Sequence, residues 1–383
     1  MNGMNQLRKK CLEGARRIVV KVGSNVLTAE NGLNLKSIRS ISRQICRLIA
    51  DGMEVILVSS GAMASGIRKL GLSRRPDEIP KRQAVAAVGQ AGLIMAYEKA
   101  FDTHEKKVAQ ILLTNEDLAN RQRYLNARNT LNTLLEWQIV PIINENDTVM
   151  TEEIQFGDND MLAASITLLM DADILINLTD IDGLYNKDPR THNDAVLVPV
   201  VSRIDKQIET IASGISGALG RGGMQSKIKA AKRLNTAGVP MIIANGVKGA
   251  MLQMLFAGKD HGTFFIPRSE KLASRKRWIG FNLRPQGTVV LDDGAVSAIL
   301  RRGKSLLPSG ILEVEGEFNV GAAVAFCNSA GASLGIGLAN YSAADIRKIK
   351  GLKSNQIVKR LGAKPFDEVI HRDNLVITDD PER

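Results

Sequence analysis

Residues 17–23, RIVVKVG, set four β-branched side chains around a single lysine and end on glycine. A short apolar run closed by a turn residue is the pattern of a strand buried on both faces. The pattern recurs as VILVSSGA (55–62), QILLT (110–114), IVPIINEN (139–146), DILINLTD (173–180) and PMIIANG (240–246), each closing on Gly, Ser, Thr, Asn or Asp. Longer helix-like stretches usually separate the runs. This alternation predicts an α/β fold, a mainly parallel sheet between helical layers. Ligands of such sheets bind beyond the carboxyl ends of the strands, so the polar clusters that close the runs are where a site is expected.

The chain has 383 residues, 44% of them apolar, enough to fill two cores. After Phe265 the pattern changes. Residues 266–279 are basic and poor in aliphatics and read as a linker between a first domain, 1–265, and a second, 280–383. In the second, QGTVVLDDGA, GILEVEGEFNVGAAVAFCN and GASLGIGLANYS predict short strands split by glycine-rich turns, a small β-rich domain. The net charge of +11 suits an anionic partner, nucleotide, metabolite or RNA. From Arg268 onward 18 Lys/Arg face 13 Asp/Glu, a surplus of five, so the charge is not concentrated in the tail strongly enough to decide for nucleic acid. Cys11, Cys46 and Cys327 are odd in number and far apart, which argues against a disulfide framework and for a reducing compartment. No cleavable leader and no apolar run near ~18 residues is present, so a cytoplasmic protein without a membrane span is expected.

The familiar nucleotide motifs fail. No Gly-x-Gly-x-x-Gly follows the first strand, and Gly303-Lys304-Ser305 has Ala298 where a P-loop needs its leading glycine. The four histidines, 104, 192, 261 and 371, have no metal-ligand spacing. What remains is Lys21 inside an apolar strand, where a lysine must snorkel, pair or meet a ligand. A glycine-rich loop also runs into a helix at GALGRGGMQSKIKAAKRL (217–234), with Lys227 in the first turns. Glycines let backbone amides approach phosphates, and a helix N-terminus adds a favourable field. Two lysines on separate segments are what phosphoryl transfer uses to neutralise oxygens on the nucleotide and the transferring group. FGDNDMLAA (156–164) places Asp158, Asn159 and Asp160 ahead of a small apolar run, which fits a helix cap, a metal site or a substrate pocket.

Taken in order, VVKVGSNVLT, LVSSGAMASG, AVAAVGQAGL, QILLTNEDLANRQRYLNARNTL, VPIINENDTV, FGDNDMLAA, NLTDIDGLYNKDPR and GGMQSKIKAA resemble the motifs of bacterial glutamate 5-kinases, members of the amino acid kinase fold family. GTVVLDDGAVSAI, KSLLPSGI and VEGEFNVG resemble the PUA domain appended to many of them. The resemblance covers nearly the whole chain. It implies phosphorylation of the L-glutamate side-chain carboxylate by ATP, giving L-glutamyl 5-phosphate, the first step of proline synthesis.

Carried over by position, the resemblance makes Lys21 and Lys227 the charges on the phosphates and transferring group, with Asp160 orienting both. Ser60, the Gly61 backbone, Asp147 and Asn159 match glutamate contacts, with Asp147 the partner for the ammonium and the others for carboxylates. Thr179 and Asp180 match nucleotide contacts near the adenosine. Gly222, Gly223, Met224, Gln225, Ser226 and Lys227 match the phosphate loop. No protein-built metal cage is expected; Mg²⁺ would be held mainly by nucleotide phosphates. The resemblance further implies a homo-oligomer, feedback inhibition by proline, and a glutamyl phosphate reductase acting downstream. Arg221 stands where the family usually has threonine, and Ala322 at a position often acidic in it. Two alternatives stay open: another amino acid kinase fold enzyme, acting on acetylglutamate or carbamate, which INEND and the tail count against, and an RNA-binding protein acting through the PUA-like domain.

Overall fold

A computed structural model describes residues 2–29, 32–149, 159–214, 223–267 and 273–378. The chain divides into two compact units, 1–271 and 272–383. The eight strands of the first unit's large sheet are β1 (Arg17–Val22), β2 (Glu54–Ser59), β3 (Val108–Leu113), β4 (Val140–Glu145), β5 (Ile174–Thr179), β6 (Val200–Val201), β7 (Met241–Asn245) and β8 (Thr263–Phe265). Their order is β3-β4-β2-β1-β5-β7-β8-β6. The first six in that order are parallel; β8 runs antiparallel to β7, and β6 pairs parallel with β8. All six runs read from the sequence are those parallel strands.

Alternation along β1 decides where the chemistry can sit. Ile18, Val20 and Val22 enter a core with Ile38, Ile41 and Ile45 of helix α1 (Leu35–Ala50), and with Tyr97 and Phe101 of a long helix, Ile79–Asp102. Successive side chains of a strand point to opposite faces, so Lys21 points away from that core. In β5 the same core takes Ile174, Ile176 and Leu178, which leaves Asn177 on the face of Lys21. The register pairs Lys21 with Asn177 directly.

Helix α2 (Ala62–Lys69) follows β2 and packs closely on α3, the helix over Ile79–Asp102. The approach needs glycine: a Cβ at Gly89 would lie 1.8 Å from the Ala62 carbonyl oxygen, and one at Gly66 would lie 1.8 Å from that of Val85. On the other face, α4 (Asn159–Leu169) packs against α5 (Met224–Thr236) and beneath β1. No described helix is long and apolar enough to cross a membrane.

The second unit holds a five-stranded sheet of β9 (Gly287–Leu291), β10 (Ile311–Gly316), β11 (Ala323–Asn328), β12 (Ser333–Leu338) and β13 (Leu375–Ile377), in the order β10-β9-β11-β12-β13. β9 pairs parallel with β11, and the other pairs are antiparallel. The stretch read as a linker, 266–279, differs in its second half. Residues 274–279 begin helix α6 (Ser274–Asn282), whose Ile279 is buried with Ala323, Ile336 and Val376 of this sheet. Arg277 is also buried, whereas Arg275 is exposed, so not every basic residue of the stretch read as a linker faces solvent.

Candidate active site

The Asp160 carboxylate lies at the centre of the site, in the first turn of α4, with no exposed surface. Lys21 on β1 is ion-paired with its Oδ1, and Asn177 donates to the same oxygen at 2.7 Å. Oδ2 accepts from Ser226 Oγ at 2.8 Å and from Lys227 Nζ at 3.1 Å, both in the first turns of α5. Each oxygen therefore takes one ammonium and one neutral donor. Both lysines are buried. A buried charge cluster is costly unless paired, and an arriving anion would meet two ammoniums here.

Lys21 Nζ reaches the end of its strand. A Cβ built on Gly23 would lie 3.8 Å from it, in ordinary van der Waals contact, which places this glycine beside the ammonium. The Gly23 N–H is used by the Leu178 carbonyl, which ties the loop to β5.

A second set begins one residue earlier. Asn159 Nδ2 lies 3.0 Å from the Ser59 carbonyl oxygen, 2.9 Å from Ser60 Oγ and 3.0 Å from Asn144 Oδ1. A backbone carbonyl can only accept, so the amide is fixed with its NH₂ toward the ends of β2 and β4. Its Oδ1 has no partner among the described residues. Gly61 caps α2 with φ of 105°, a left-handed conformation natural to glycine. Ser59 Oγ is 2.9 Å from the buried Tyr97 hydroxyl, which anchors the turn from below.

Asp147 opens a short 3₁₀ turn after β4. Burial raises its carboxyl above the ordinary aspartate range, while the Arg75 charge and a backbone hydrogen bond pull it back. At the end of β5, Thr179 Oγ1 donates to Asp180 Oδ1 at 3.0 Å and Asn25 Nδ2 to Asp180 Oδ2 at 2.8 Å. Gly223 is the N-cap residue of α5, Met224 is buried beneath it, and Gln225 is exposed. Phe156, Gly157 and Asp158 of FGDNDMLAA, and Arg221 and Gly222 of the glycine-rich loop, lie outside the described residues.

The structure thus joins Lys21, Asp160, Ser226 and Lys227 in one cluster and sets Asn159 against Ser60. Sequence reading passed over Asn177, Asn144 and Tyr97. A polar residue at the same offset in VVKV and LINL is the signal that could have found Asn177.

The profile of the amino acid kinase family matches residues 16–245, and that of the PUA domain matches residues 287–361. Over 372 residues the chain is 50% identical to the glutamate 5-kinase of Geobacter sulfurreducens, covering 97% of this chain and 100% of that protein. It is 49% identical over 374 residues to the glutamate 5-kinase of Syntrophus aciditrophicus, covering 98% and 97%. With that of Caldanaerobacter subterraneus it shares 49% over 368 residues, covering 96% and 99%. The chain belongs to the amino acid kinase family and, within it, to the glutamate 5-kinases.

Proposed function

We infer that this chain transfers the γ-phosphoryl group of ATP to the side-chain carboxylate of L-glutamate, giving L-glutamyl 5-phosphate and ADP, the first step of proline synthesis. The observation that carries the reading is the Asp160 carboxylate holding Lys21 and Lys227 on opposite oxygens. A glutamate side chain has a reference pKa of about 4.3 and is already an anion at neutral pH, so no general base is needed. The barrier is the approach of one anion to another. A carboxylate oxygen attacks the γ-phosphorus while the bond to the bridging oxygen breaks, and ADP leaves with the electron pair. Two lysines held apart by one carboxylate can meet charge on the attacked group and on the leaving phosphate, with little rearrangement during the step.

Ser60 Oγ and the Gly61 backbone bind glutamate carboxylate. Asp147 meets the ammonium, and the unpartnered Asn159 Oδ1 suits the same cation better than an anion. Thr179 and Asp180 lie toward the adenosine, and the segment from Gly222 to Lys227 holds phosphate. Among the described residues no three His, Cys, Asp or Glu side chains are grouped for a metal, and both Asp160 oxygens take cationic donors. Mg²⁺ carried in on the nucleotide would neutralise phosphate charge. Proline, which shares the α-carboxylate and amine of glutamate, acts as a feedback inhibitor at or near this pocket. The chain works as a cytoplasmic homo-oligomer, and its acyl phosphate product is consumed by a glutamyl phosphate reductase.

The test is ATP consumption with L-glutamate, acetylglutamate, aspartate and carbamate as acceptors. L-Glutamate alone supports rapid turnover. Preferential turnover of acetylglutamate would sink the reading, because an acetylated amine has no charge to present to Asp147.

A further inference from the structure

We propose that Asn177 is a positioning residue for phosphoryl transfer, fixing the plane of the Asp160 carboxylate so that its two oxygens hold Lys21 and Lys227 apart. The inference rests on the kinase reading above and adds a residue to it. Asn177 is fully buried in a strand whose other residues, before the terminal Thr179, are Ile174, Leu175, Ile176 and Leu178. Leucine or isoleucine would fit such a strand without polar cost. The amide is only half satisfied: Nδ2 donates to Asp160 Oδ1 at 2.7 Å, while Oδ1 has no partner among the described residues. A buried carbonyl without a donor is unfavourable and rare, so the single bond that the amide does make needs a reason.

The reason lies in what that bond constrains. The carboxylate itself dictates that the NH₂ end faces it, because oxygen against oxygen would repel. With two lysines alone, the carboxylate could turn about its last torsion and follow either flexible ammonium. Neutral donors on rigid elements remove that freedom. Asn177 is held on β5 and binds one oxygen; Ser226 is held in the first turn of α5 and binds the other at 2.8 Å. Because Asn177 is paired in register with Lys21, the two side chains leave adjacent strands on one face and converge on the same oxygen. A hydrogen bond to a charged group is among the stronger kinds, and it is directional in a way that a long lysine side chain is not.

Two variants test this, N177L and N177M, purified as the full chain and checked by circular dichroism, thermal melting and steady-state kinetics. Both remain folded with a Tm within a few degrees of wild type, since the removed unpaired carbonyl and the lost donor to Asp160 act in opposite directions. Both lose roughly tenfold in kcat, the scale of one hydrogen bond to a charged group, with KM for glutamate and for ATP within about twofold. A folded variant with wild-type kcat would overturn the proposal. So would equal losses expressed only in KM, or failure of both variants to fold, which would make the amide a requirement of the fold. Wild-type protein in the same assay separates the two readings: if it does not phosphorylate glutamate, the function is wrong, and if it does while the variants match it, only the role of Asn177 is.

Discussion

Asp160→Asn is the sharpest perturbation of the site because it changes one atom and no volume. The carboxylate accepts from an ammonium and a neutral donor at each oxygen. An amide has one acceptor end and one donor end, so whichever way it lies, one lysine and one neutral donor face an NH₂ group. One ammonium loses its contact with residue 160 while both remain buried, and the carboxylate charge between them is gone. Removing one partner of a buried ion pair costs about 3–5 kcal/mol. At roughly 2–4 °C per kcal/mol for a unit of this size, the melting temperature should fall on the order of 10 °C. On the proposed roles, releasing one lysine from its aim removes one transition-state donor, so kcat should fall roughly 10²–10³-fold. The KM for glutamate should change little, because its proposed contacts are on other side chains. Coupled ATP-consumption kinetics and a calorimetric melt of the same preparation give both numbers. Wild-type kcat with a lowered Tm would refute the reasoning and leave Asp160 as no more than a polar residue in the first turn of α4.

Lys21→Met and Lys227→Met should each lower kcat by roughly 10²–10³ while glutamate affinity, measured by equilibrium titration, stays near wild type. Asp147→Asn should raise the glutamate KM and blunt proline inhibition together; poor glutamate binding with unaltered inhibition would show two separate sites. Burial raises the Asp147 carboxyl, and only its ionised form can meet an ammonium, so kcat/KM for glutamate should drop as pH falls through that raised value. The Asn variant should lose this limb and keep only the titration of the substrate itself. A chain ending near Pro267 should remain a folded glutamate kinase, read by circular dichroism and turnover; a folded truncation that binds both substrates without reaction would place part of the active site in the tail.

The parallel strands were legible because a strand buried on both faces is a nearly continuous apolar run, and all six such runs are strands of the large sheet. β6 and β8, of two and three residues, are too short to carry a period, and they went unread. Lys21 stood out as a charge in an apolar run. Asn177 did not, because LINLTD reads as a strand ending in its polar cluster; only the pairing with β1 shows the asparagine belongs beside the lysine. The start of α6 was hidden for the opposite reason. Its sequence, SRKRWIGFN, has a weak apolar stripe, and nothing in a charge count reveals that Arg277 turns inward while Ile279 fills a small core.

The same contrast explains how a fold this regular supports the chemistry proposed for the Asp160 cluster. The amino acid kinase sheet brings β1 and β5 side by side at its centre, and helices that start near the ends of the parallel strands complete the cluster from one face. Asp160, Asn177, Ser226 and both lysines therefore sit on strands and helix first turns, where packing restricts their rotamers. An acceptor that is already ionised asks for no proton transfer, only for charges that are in place before the phosphoryl group moves. Loops could not hold two like-charged ammoniums a few ångströms from one carboxylate without letting them drift toward water. Rigid elements can, and the cost of burying that cluster is the physical counterpart of its readiness to receive an anion.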